Sequence, residues 1–265
     1  MAYAIAIANI FGSKKCKYIS RIGSIISSQI SDLGFVKGFI MSFYQRVLNF
    51  SDIIITQSKS MDEDLKKYIN KKSEVIYNPI SLNKIISLAK EKISIKLDSN
   101  YYNIISVGRL AYEKDYKTAI LSIAKLKKRY GNIKYYILGD GELKNELYKY
   151  SDYLDLKNDI IFTGYLSNPY PIMKNANVLL STSLYEGFSN VILESLALNV
   201  PVVATDCPGG NKEIISNEKN GFLAKVGNTE DIVDKLMLVK KQKDYNIDVS
   251  KFKINFIAKE YEKHF

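Results

Sequence analysis

The stretch VLLSTSLYEGFSNVILESLALNVPVVATDCPGG, residues 178–210, decides the fold class of this chain. It begins with a short apolar run, VLLSTS, continues into the helical segment NVILESLALN and ends in a second apolar run, VPVVATD. Short apolar runs on either side of a helix are typical of parallel strands that are buried on both faces. The stretch therefore predicts a strand–helix–strand unit of an α/β protein.

The same alternation extends in both directions along the chain. Further predicted strands are YNIISVG, KYYILGDG, DIIFTGYL and GFLAKV. The predicted helices that connect or follow them are YKTAILSIAKLKKRYG, ELKNELYKYSDYL and TEDIVDKLMLVKKQ. Strands that alternate with such helices form a parallel sheet covered on both faces. We predict one complete Rossmann-like, doubly wound domain over residues 79–248, followed by a C-terminal helix, residues 249–265, that packs outside the sheet.

The part of the chain before Asn78 contains too few strands for a domain of this kind. DIIITQS and EVIYNPI are its predicted strands, and the Asn-Pro dipeptide at residue 78 marks a domain junction. Apolar residues recur every three or four positions from Val36 to Phe50, which predicts a helix with one buried face. Ser60 is expected to cap the next helix, MDEDLKKYI. Residues 1–78 are therefore predicted to be part of a second, acceptor-side Rossmann-like domain.

Composition excludes several classes of protein. The chain has 265 residues, 46% of them hydrophobic and 25% charged, which is ordinary for a globular protein. No apolar run reaches the roughly 18 to 20 residues of a spanning helix, and the opening MAYAIAIANIFG lacks the basic start of a signal peptide. Cys16 and Cys207 are too few for a disulfide scaffold. We predict a soluble or peripheral protein with a cytoplasmic location.

The charged and titratable residues narrow the chemistry. Because His264 is the only histidine, the chain cannot build a Ser-His-Asp triad or a multi-histidine metal site, and we expect neither a metal nor another cofactor. The net charge of +10 would suit nucleic acid, an anionic membrane or a phosphorylated substrate. Only four of the 38 basic residues are arginines, and the lysines are scattered among acids, so we expect no nucleic-acid partner.

Ligands of open α/β sheets bind beyond the carboxyl ends of the strands, so the loops that follow the predicted strands are the candidate binding loops. The first loop carries Arg109 and Lys114, a guanidinium and an ammonium that suit a diphosphate, although a solvated loop is the alternative. In the second loop, GDGE, Lys144 replaces the third glycine of a dinucleotide fingerprint, which argues against a nicotinamide cofactor. In the third, the backbone around Tyr165 could border a bound base.

The fourth loop, EGFSN at residues 186–190, carries the strongest signal. A helix begins there, and its first amides and positive dipole end form a cradle for an anion or for sugar hydroxyls. Glu186 precedes the helix and Glu194 follows eight residues later, so both carboxylates could address one cleft. The alternative is a pair of surface charges. Cys207, in the next loop, is expected to be a small packed thiol, because the chain offers it no base.

Taken together, SVGRLAYEKDY, ILGDGELKNEL, IFTGYL, EGFSNVILE, PVVATDCPGGNKEII and NGFL resemble the C-terminal domain of retaining glycosyltransferases of family 4, which have the GT-B fold. The resemblance covers residues 100–240, and residues 18–78 look like the last third of the family's N-terminal domain. A full member carries roughly a hundred more residues at the front, since each Rossmann half is of that size. The resemblance thus implies an N-terminal truncation or a partner that supplies the missing half.

The resemblance also implies roles for individual residues. Arg109 and Lys114 would hold the diphosphate of a nucleotide sugar, a UDP-sugar by resemblance, and Glu186 would contact the transferred sugar. The catalytic set would be Glu186, Arg109 and Lys114. Tyr165 would lie near the base and Glu194 would bind the ribose hydroxyls. The backbone beside the sugar would come from Gly187, Phe188, Ser189, Asn190 and Val191.

The implied activity is hexose transfer, with retention, to a glycan or lipid-linked acceptor in bacterial cell-envelope polysaccharide or glycolipid assembly, such as lipopolysaccharide or capsule. The alternative is a non-catalytic sugar-nucleotide-binding remnant or partner subunit. Lipid-linked acceptors and the basic balance also predict peripheral contact with the inner face of an anionic membrane. That contact would be made by the lysines of residues 14–17 and by Arg21.

Overall fold

The computed structural model describes residues 17–92, 95–216, 218–242 and 244–264. Within them the strands are β1 Ile19–Arg21, β2 Ile53–Thr56, β3 Glu74–Val75, β4 Tyr102–Val107, β5 Ile133–Leu138, β6 Ile160–Gly164, β7 Val178–Ser181, β8 Val202–Thr205 and β9 Gly221–Ala224. The α-helices are α1 Ile26–Asp32, α2 Phe35–Tyr44, α3 Lys59–Leu65, α4 Leu82–Leu88, α5 Tyr116–Tyr130, α6 Lys144–Tyr153, α7 Tyr170–Asn175, α8 Asn190–Ala197, α9 Asn211–Ile214, α10 Thr229–Lys241 and α11 Ile254–Glu262. Short 3-10 helices cover Gln45–Phe50, Tyr112–Lys114 and Ser250–Phe252.

The larger sheet has six parallel strands in the order β6-β5-β4-β7-β8-β9. Its central strand β4 is buried on both faces: Ile104 packs in a core with α5 and α10, and Ile105 packs in a second core with α7 and α8. The strand order reverses between β4 and β7, which is the arrangement of a doubly wound sheet. The predicted α/β fold class with a Rossmann-like parallel sheet is confirmed.

The smaller sheet has three parallel strands in the order β1-β2-β3. One face packs Ile54 against α1 and α3, and the other packs Ile55 against Ile257 of α11. The C-terminal segment reaches this sheet by pairing with the junction, because Ile80 N donates to Phe252 O at 2.7 Å and Ile254 N donates to Ile80 O at 3.2 Å. The helix predicted at the C-terminus therefore packs on the smaller sheet, not on the larger one.

The apolar helix predicted from Val36 to Phe50 is corrected by the structure. The α-helix ends at Tyr44, and its large apolar side chains are exposed, whereas Gly38, Gln45 and Leu48 are buried. Gly38 allows the helix to approach α1, since a Cβ atom there would lie 2.9 Å from Ile30 O. The periodicity correctly predicts a helix, but the apolar face that it marks points away from the core.

Two smaller findings concern the same region. The cap of α3 is Ser58, whose Oγ accepts the Met61 amide at 3.2 Å, so the prediction of Ser60 as the cap was wrong. The Ser60 hydroxyl instead accepts the amide of Gly209 from the larger unit. In the part of the chain that the structure describes, no helix has the length and apolarity to span a membrane. Of the predicted membrane lysines, Lys14 and Lys15 lie outside the described residues.

Candidate functional site

The loops after β4 and β7 meet at the carboxyl edge of the larger sheet, where the strand order reverses. Such a crevice is where open α/β sheets bind ligands. The two loops are tied together, because Leu184 N donates to Glu113 O at 2.8 Å. The Thr182 hydroxyl adds bonds to the carbonyls of Lys114 and Asp115 at 3.0 and 2.9 Å. The side chains of both loops are therefore presented as one unit.

Lys114 and Glu186 form an ion pair at the centre of this edge. Their Nζ and Oε1 atoms are 2.6 Å apart, and only 11% of the Glu186 side chain is exposed. The Ser183 hydroxyl donates to the same carboxylate oxygen at 2.8 Å. The pair lines a small cavity together with Val107 and Val191. The arrangement places an ammonium and a carboxylate, both held by neighbours, within reach of one ligand.

Arg109 lines a larger groove of about 580 Å³ at the same edge of the sheet. The groove is lined by residues that follow three adjacent strands: Gly108, Arg109, Gly139, Asp140, Tyr165 and Pro169 among them. Val107 lines both the groove and the cavity at Lys114, so the two spaces adjoin. The side chain of Tyr165 is 79% exposed. The structure thus brings the predicted cations and Tyr165 to two adjoining spaces at this edge of the sheet.

Glu113 is a member of the site that the sequence did not reveal. Arg109 Nη2 lies 2.6 Å from Glu113 Oε1. Burial is the largest influence on the pKa of Glu113 and would raise it, but the hydrogen bonds from Arg109 and the backbone and the charges of Arg109 and Lys114 together outweigh burial, and the pKa is lowered. The Glu113 carboxylate is therefore the ion-pair partner of the Arg109 guanidinium. Its position next to Lys114 in AYEKDY was the one available signal.

Two glycines fix the backbone that carries Glu186. A Cβ atom on Gly187 would lie 2.2 Å from Gly23 O of the smaller unit, and one on Gly209 would lie 1.7 Å from Glu186 O. Glu186 N donates to Pro208 O at 2.9 Å, and Gly210 N donates to Gly187 O at 3.0 Å. The turn is thus held between the smaller unit and the loop after β8, with no room for larger residues.

Phe188, Ser189 and Asn190, which follow the Glu186 turn, have side chains that contact the core or the smaller unit. Phe188 is buried, with its ring 5.6 Å from those of Tyr77 and Phe252, so only its backbone can face a ligand. Ser189 is the buried residue that precedes α8, and its side chain forms no capping bond. Asn190 Oδ1 accepts from Asn78 Nδ2 at 2.7 Å, which directs the Asn190 side chain towards the smaller unit. Because the side chains of Phe188 and Asn190 contact other parts of the protein, the start of α8 presents its main chain to the crevice.

Glu194 lies two turns into α8 and has a different partner from Glu186. Burial raises its pKa, and a hydrogen bond with Tyr170 opposes that rise in part. The pKa of Tyr170 is in turn raised to about 12 by burial and by the nearby Glu194 charge. Tyr170 follows Pro169, which lines the groove. Glu194 is therefore a half-buried carboxylate of α8 that lines neither the groove nor the cavity at Lys114, and Tyr170 is a neighbour that the sequence did not suggest.

The smaller unit touches the same turn directly. The Ser58 hydroxyl donates to Gly187 O at 3.3 Å, and the Tyr185 hydroxyl donates to Asp32 Oδ2 at 2.5 Å. Glu213 joins the units from α9, since its carboxylate accepts the amide of Lys59 at 2.8 Å and the hydroxyl of Tyr77 at 2.9 Å. The turn that carries Glu186 thus lies between the two sheets.

A second cavity and a buried thiol lie elsewhere in the larger unit. A cavity of about 760 Å³ lies at the opposite, amino edge of the larger sheet, beside Tyr130, Asn132 and Lys240. It is larger than the groove at Arg109, but it lies away from the strand ends at which doubly wound sheets bind ligands. Cys207 is buried and its thiol pKa is raised to about 12, chiefly by burial, so it is a packed thiol. Across the described residues there is no cluster of three or more His, Cys, Asp or Glu side chains suited to a metal.

The fold and the crevice define a protein of the GT-B type, a class with parallel-sheet domains that meet at a cleft. Among solved structures, the Anabaena protein HepE in complex with UDP superposes with a TM-score of 0.80 at 19% identity, covering 99% of this chain and 75% of that one. At that identity the likeness shows the fold. Residues 89–255 match the family described as glycosyl transferases group 1, and the chain belongs to that family.

Curated relatives agree with the family. An uncharacterized glycosyltransferase of Methanocaldococcus jannaschii is 34% identical over 197 residues, which cover 71% of this chain and 48% of the relative. The N-acetylgalactosamine-N,N'-diacetylbacillosaminyl-diphospho-undecaprenol 4-alpha-N-acetylgalactosaminyltransferase of Campylobacter jejuni is 34% identical over 232 residues. That match covers 85% of this chain and 60% of the relative. The chain therefore spans about half to three fifths of the length of these relatives.

Proposed function

We propose that the protein transfers a hexose from a UDP-sugar to a glycan or lipid-linked acceptor, with retention of configuration at the anomeric carbon. The observation that carries the proposal is the Lys114–Glu186 pair, 2.6 Å apart, at the reversal point of the sheet. The pair adjoins a groove that also contains Arg109 and Tyr165. The two cations would bind the diphosphate of such a donor, and the Glu186 carboxylate would accept hydrogen bonds from the sugar hydroxyls. The exposed aromatic ring would lie against the base.

The donor would occupy the crevice in one direction. Its base would lie in the groove against the exposed ring of Tyr165. Its ribose would extend from the groove towards Glu194, whose partner Tyr170 follows the groove residue Pro169. Its diphosphate would lie between Arg109 and Lys114. To bind it, Arg109 must exchange Glu113 for a phosphate, which a guanidinium can hold through two parallel hydrogen bonds. The transferred sugar would lie at Glu186, beside the main chain of residues 187–191.

Catalysis would rest on stabilising the departing diphosphate. In the reaction the bond from the anomeric carbon to the diphosphate breaks, a bond to the acceptor oxygen forms on the same face, and the acceptor proton passes to the released phosphate oxygen. Lys114, Arg109 and the positive end of the α8 dipole would stabilise the negative charge that develops on the leaving diphosphate. Glu186 would oppose the positive charge that grows on the sugar. No carboxylate nucleophile is required by this scheme.

We place the activity in cell-envelope polysaccharide or glycolipid assembly, on the cytoplasmic side of the membrane. Support comes from the Campylobacter relative, whose name specifies a diphospho-undecaprenol substrate. Residues 1–78 would belong to the acceptor-side domain, and residues 79–248 would bind the donor. Because the chain spans only part of its relatives, the acceptor and the linkage are best found by assay.

The test of the proposal is the response of nucleotide binding to Arg109→Ala. We expect the binding free energy of UDP, measured by titration calorimetry, to become less favourable by about 1.5 to 3 kcal/mol, the range for a charge-assisted hydrogen bond. Uridine should bind almost as before. Arg129→Ala is the matched control, since Arg129 pairs with Glu230 and Asp234 away from the crevice. Equal losses for UDP and uridine, or no loss for UDP, would contradict the diphosphate assignment.

A screen of nucleotide sugars by thermal shift would identify the donor. A ligand at 100 times its dissociation constant adds about 2.7 kcal/mol to the free energy of unfolding, which is easily measured. Product analysis with the best donor then tests retention, because the anomeric configuration of the product is read directly by NMR. Inversion would contradict the proposed stereochemistry while leaving the donor assignment intact.

A further inference from the structure

The cavity of about 760 Å³ at the amino edge of the larger sheet is a space that the proposed function does not use. Four adjacent strands contribute residues that directly precede them: Tyr101 before β4, Asn132 before β5, Asn177 before β7 and Pro201 before β8. The ends of α5 and α10 close the remaining side. The volume is within the range of small-molecule sites, about 300 to 1,000 Å³, so the cavity can hold an organic ligand.

The lining of this cavity is polar but carries almost no charge. Among the described lining residues, Lys240 alone is charged. Four of the others are asparagines and four are tyrosines. Sites for most small molecules are lined mainly by apolar side chains, so an amide-rich lining indicates a ligand with many polar groups of its own. A nucleoside diphosphate fits less well, because its negative charges would meet a single ammonium.

The asparagine carboxamides are available to such a ligand. Across the part of the chain that the structure describes, the side chains of Asn100, Asn132 and Asn199 form no hydrogen bond. Asn177 Oδ1 accepts the amide of Asn103 at 2.7 Å, which leaves Asn177 Nδ2 as an unused donor. A carboxamide has both a carbonyl acceptor and two N–H donors, so it matches the hydroxyls of a sugar, which also donate and accept.

The tyrosines of the cavity are held in place by α10. The hydroxyls of Tyr102 and Tyr245 donate to main-chain carbonyls of this helix at 3.1 and 3.0 Å. Lys240 Nζ lies 3.6 Å from the centre of the Tyr130 ring and 5.4 Å from that of Tyr102, so its charge is stabilised by the rings. The aromatic wall is therefore formed before any ligand binds, which lowers the entropy cost of binding.

We propose that this cavity binds a neutral oligosaccharide, with the asparagine carboxamides at its hydroxyls and the tyrosine rings against its C–H groups. Strand β4 has six residues, so the cavity and the donor crevice lie about 20 Å apart at opposite edges of the sheet. A sugar in the cavity cannot contact Glu186, and the site is one of binding and not of transfer. Its occupancy does not depend on the proposed transfer reaction.

Titration calorimetry with maltotetraose and with triacetylchitotriose tests the site. The double variant Asn132→Ala, Asn199→Gly removes two carboxamides that have no partner in the protein, and glycine fits position 199 because φ there is 60°. We expect the affinity for the probe that binds to fall about tenfold or more, since the hydrogen bonds of two residues are lost. The matched control Asn83→Ala, Asn145→Ala, at exposed positions of α4 and α6, should bind like the unchanged protein.

Two calorimetric results would overturn the proposal. One is an equal affinity of the two double variants for the oligosaccharide. The other is the absence of binding of both probes to the unchanged protein at millimolar concentration.

Fluorescence gives a local readout, because the sequence contains no tryptophan. Tyr130→Trp places a single fluorophore in the wall of the cavity, and Tyr153→Trp places one at an 83% exposed position of α6 as a control. We expect the oligosaccharide to change the emission of Tyr130→Trp saturably and that of Tyr153→Trp not at all. An equal response of the two variants would contradict the location. A saturable response of Tyr130→Trp to UDP that the Asn132→Ala, Asn199→Gly pair abolishes would assign the cavity to a nucleotide instead.

Failure of this proposal is distinguishable from failure of the proposed function. Because the two sites lie at opposite edges of the sheet, Arg109→Ala and saturating UDP should both leave the oligosaccharide affinity unchanged. Competition with UDP, or a loss of oligosaccharide binding in Arg109→Ala, would place the sugar in the donor crevice and refute a separate site. The double variant Asn132→Ala, Asn199→Gly should bind UDP like the unchanged protein, so its effect on the oligosaccharide reports on the cavity alone.

Discussion

Glu194 is a carboxylate whose burial costs stability. Its pKa is raised by burial, so the folded protein holds a proton on it more tightly than the unfolded chain does. The charged form is therefore penalised at pH values above the raised pKa, and the penalty disappears as the pH falls through that pKa. A residue that lowers stability in this way is typical of a binding site, where affinity for a ligand is the compensating gain.

We expect Glu194→Gln to raise the melting temperature at pH 8, because glutamine keeps an acceptor for the Tyr170 hydroxyl and removes the buried charge. The gain should be about 2–4 °C for each kcal/mol recovered, and it should shrink as the pH is lowered through the raised pKa. The same substitution should weaken UDP binding. Thermal denaturation over a pH series and calorimetry with UDP measure the two effects.

Glu230→Gln is the matched control for that prediction. A hydrogen bond from Lys125 lowers the pKa of Glu230, so its contribution to stability has the opposite sign and is lost as the pH falls. This variant should not raise the melting temperature and should leave UDP binding unchanged. A fall in melting temperature for Glu194→Gln at pH 8 would show that the carboxylate supports the fold.

Glu186 is expected to stabilise the transition state, whereas Glu194 is expected to bind the donor equally in the ground state and the transition state. Its partners are Lys114 and Ser183, next to the proposed position of the transferred sugar. We expect Glu186→Gln to lower the turnover number, whereas Glu194→Gln should mainly raise the Michaelis constant, since ribose contacts are the same in ground and transition states. The assay requires a form of the enzyme that turns over. If Glu186→Gln weakens free UDP as much as Glu194→Gln does, the division of labour is wrong.

At the scale of elements, helix α3 and helix α9 are joined by the Glu213 carboxylate. It accepts the first amides of α3, from Lys59 at 2.8 Å and Ser60 at 3.3 Å, and the hydroxyl of Tyr77. These bonds are charge-assisted and link a helix of the smaller unit to the loop that supports Glu186. Glu213 is therefore a positioning residue for the junction between the two sheets.

We expect Glu213→Ala to lower the free energy of unfolding by about 1–3 kcal/mol, because it leaves half-buried donors without their acceptor. Denaturant unfolding measures the loss, and the cycle with Tyr77→Phe should give a coupling of about 0.5–3 kcal/mol. Glu63→Ala, at an exposed position of α3, serves as the control and should have little effect. Additive losses in the cycle would mean that the Tyr77 bond contributes nothing.

The elements themselves were largely predictable, and the errors have physical causes. Strand–helix alternation identified the larger sheet because strands buried on both faces are apolar along their whole length, as Ile104 and Ile105 show. The apolar face of α2 is predicted to be buried but is exposed, because periodicity indicates where apolar residues lie and not what covers them. Ser58 and Ser60 are both plausible caps by residue type, and only backbone geometry separates them.

The site was predictable to a smaller extent. Position after a strand was enough to bring Arg109, Lys114 and Glu186 to one edge of the sheet, since parallel strands end together. The partners of these residues were not predictable, because Glu113, Tyr170 and Glu213 reach their positions through loops whose paths depend on tertiary contacts. Sequence reasoning thus locates candidate side chains but not the bonds that a ligand must displace.

At the scale of the whole molecule, the two units have cores of unequal size. Among the described residues, the larger sheet is flanked by clusters of 23 and 22 buried apolar residues, whereas the clusters at the smaller sheet have 8 and 3. Local stability follows buried apolar contact, so the smaller unit should open more readily. Its face with the smaller cluster depends on Ile257, which α11 contributes from the far end of the chain.

Ile257→Ala tests this hierarchy. Ile257 is 2% exposed and packs with Ile55 and Ile76, so its truncation should cost about 2–5 kcal/mol in the local stability of the smaller sheet. In hydrogen exchange followed by mass spectrometry, peptides that contain β2 and β3 should exchange faster, while those that contain β4 and β5 should not change. Phe256→Ala, at the exposed neighbouring position, should alter neither set. Because the proposed donor contacts belong to the larger unit, UDP affinity should stay within about twofold; a larger loss would show that the smaller sheet holds the Glu186 turn in its binding conformation through Ser58 and Gly187.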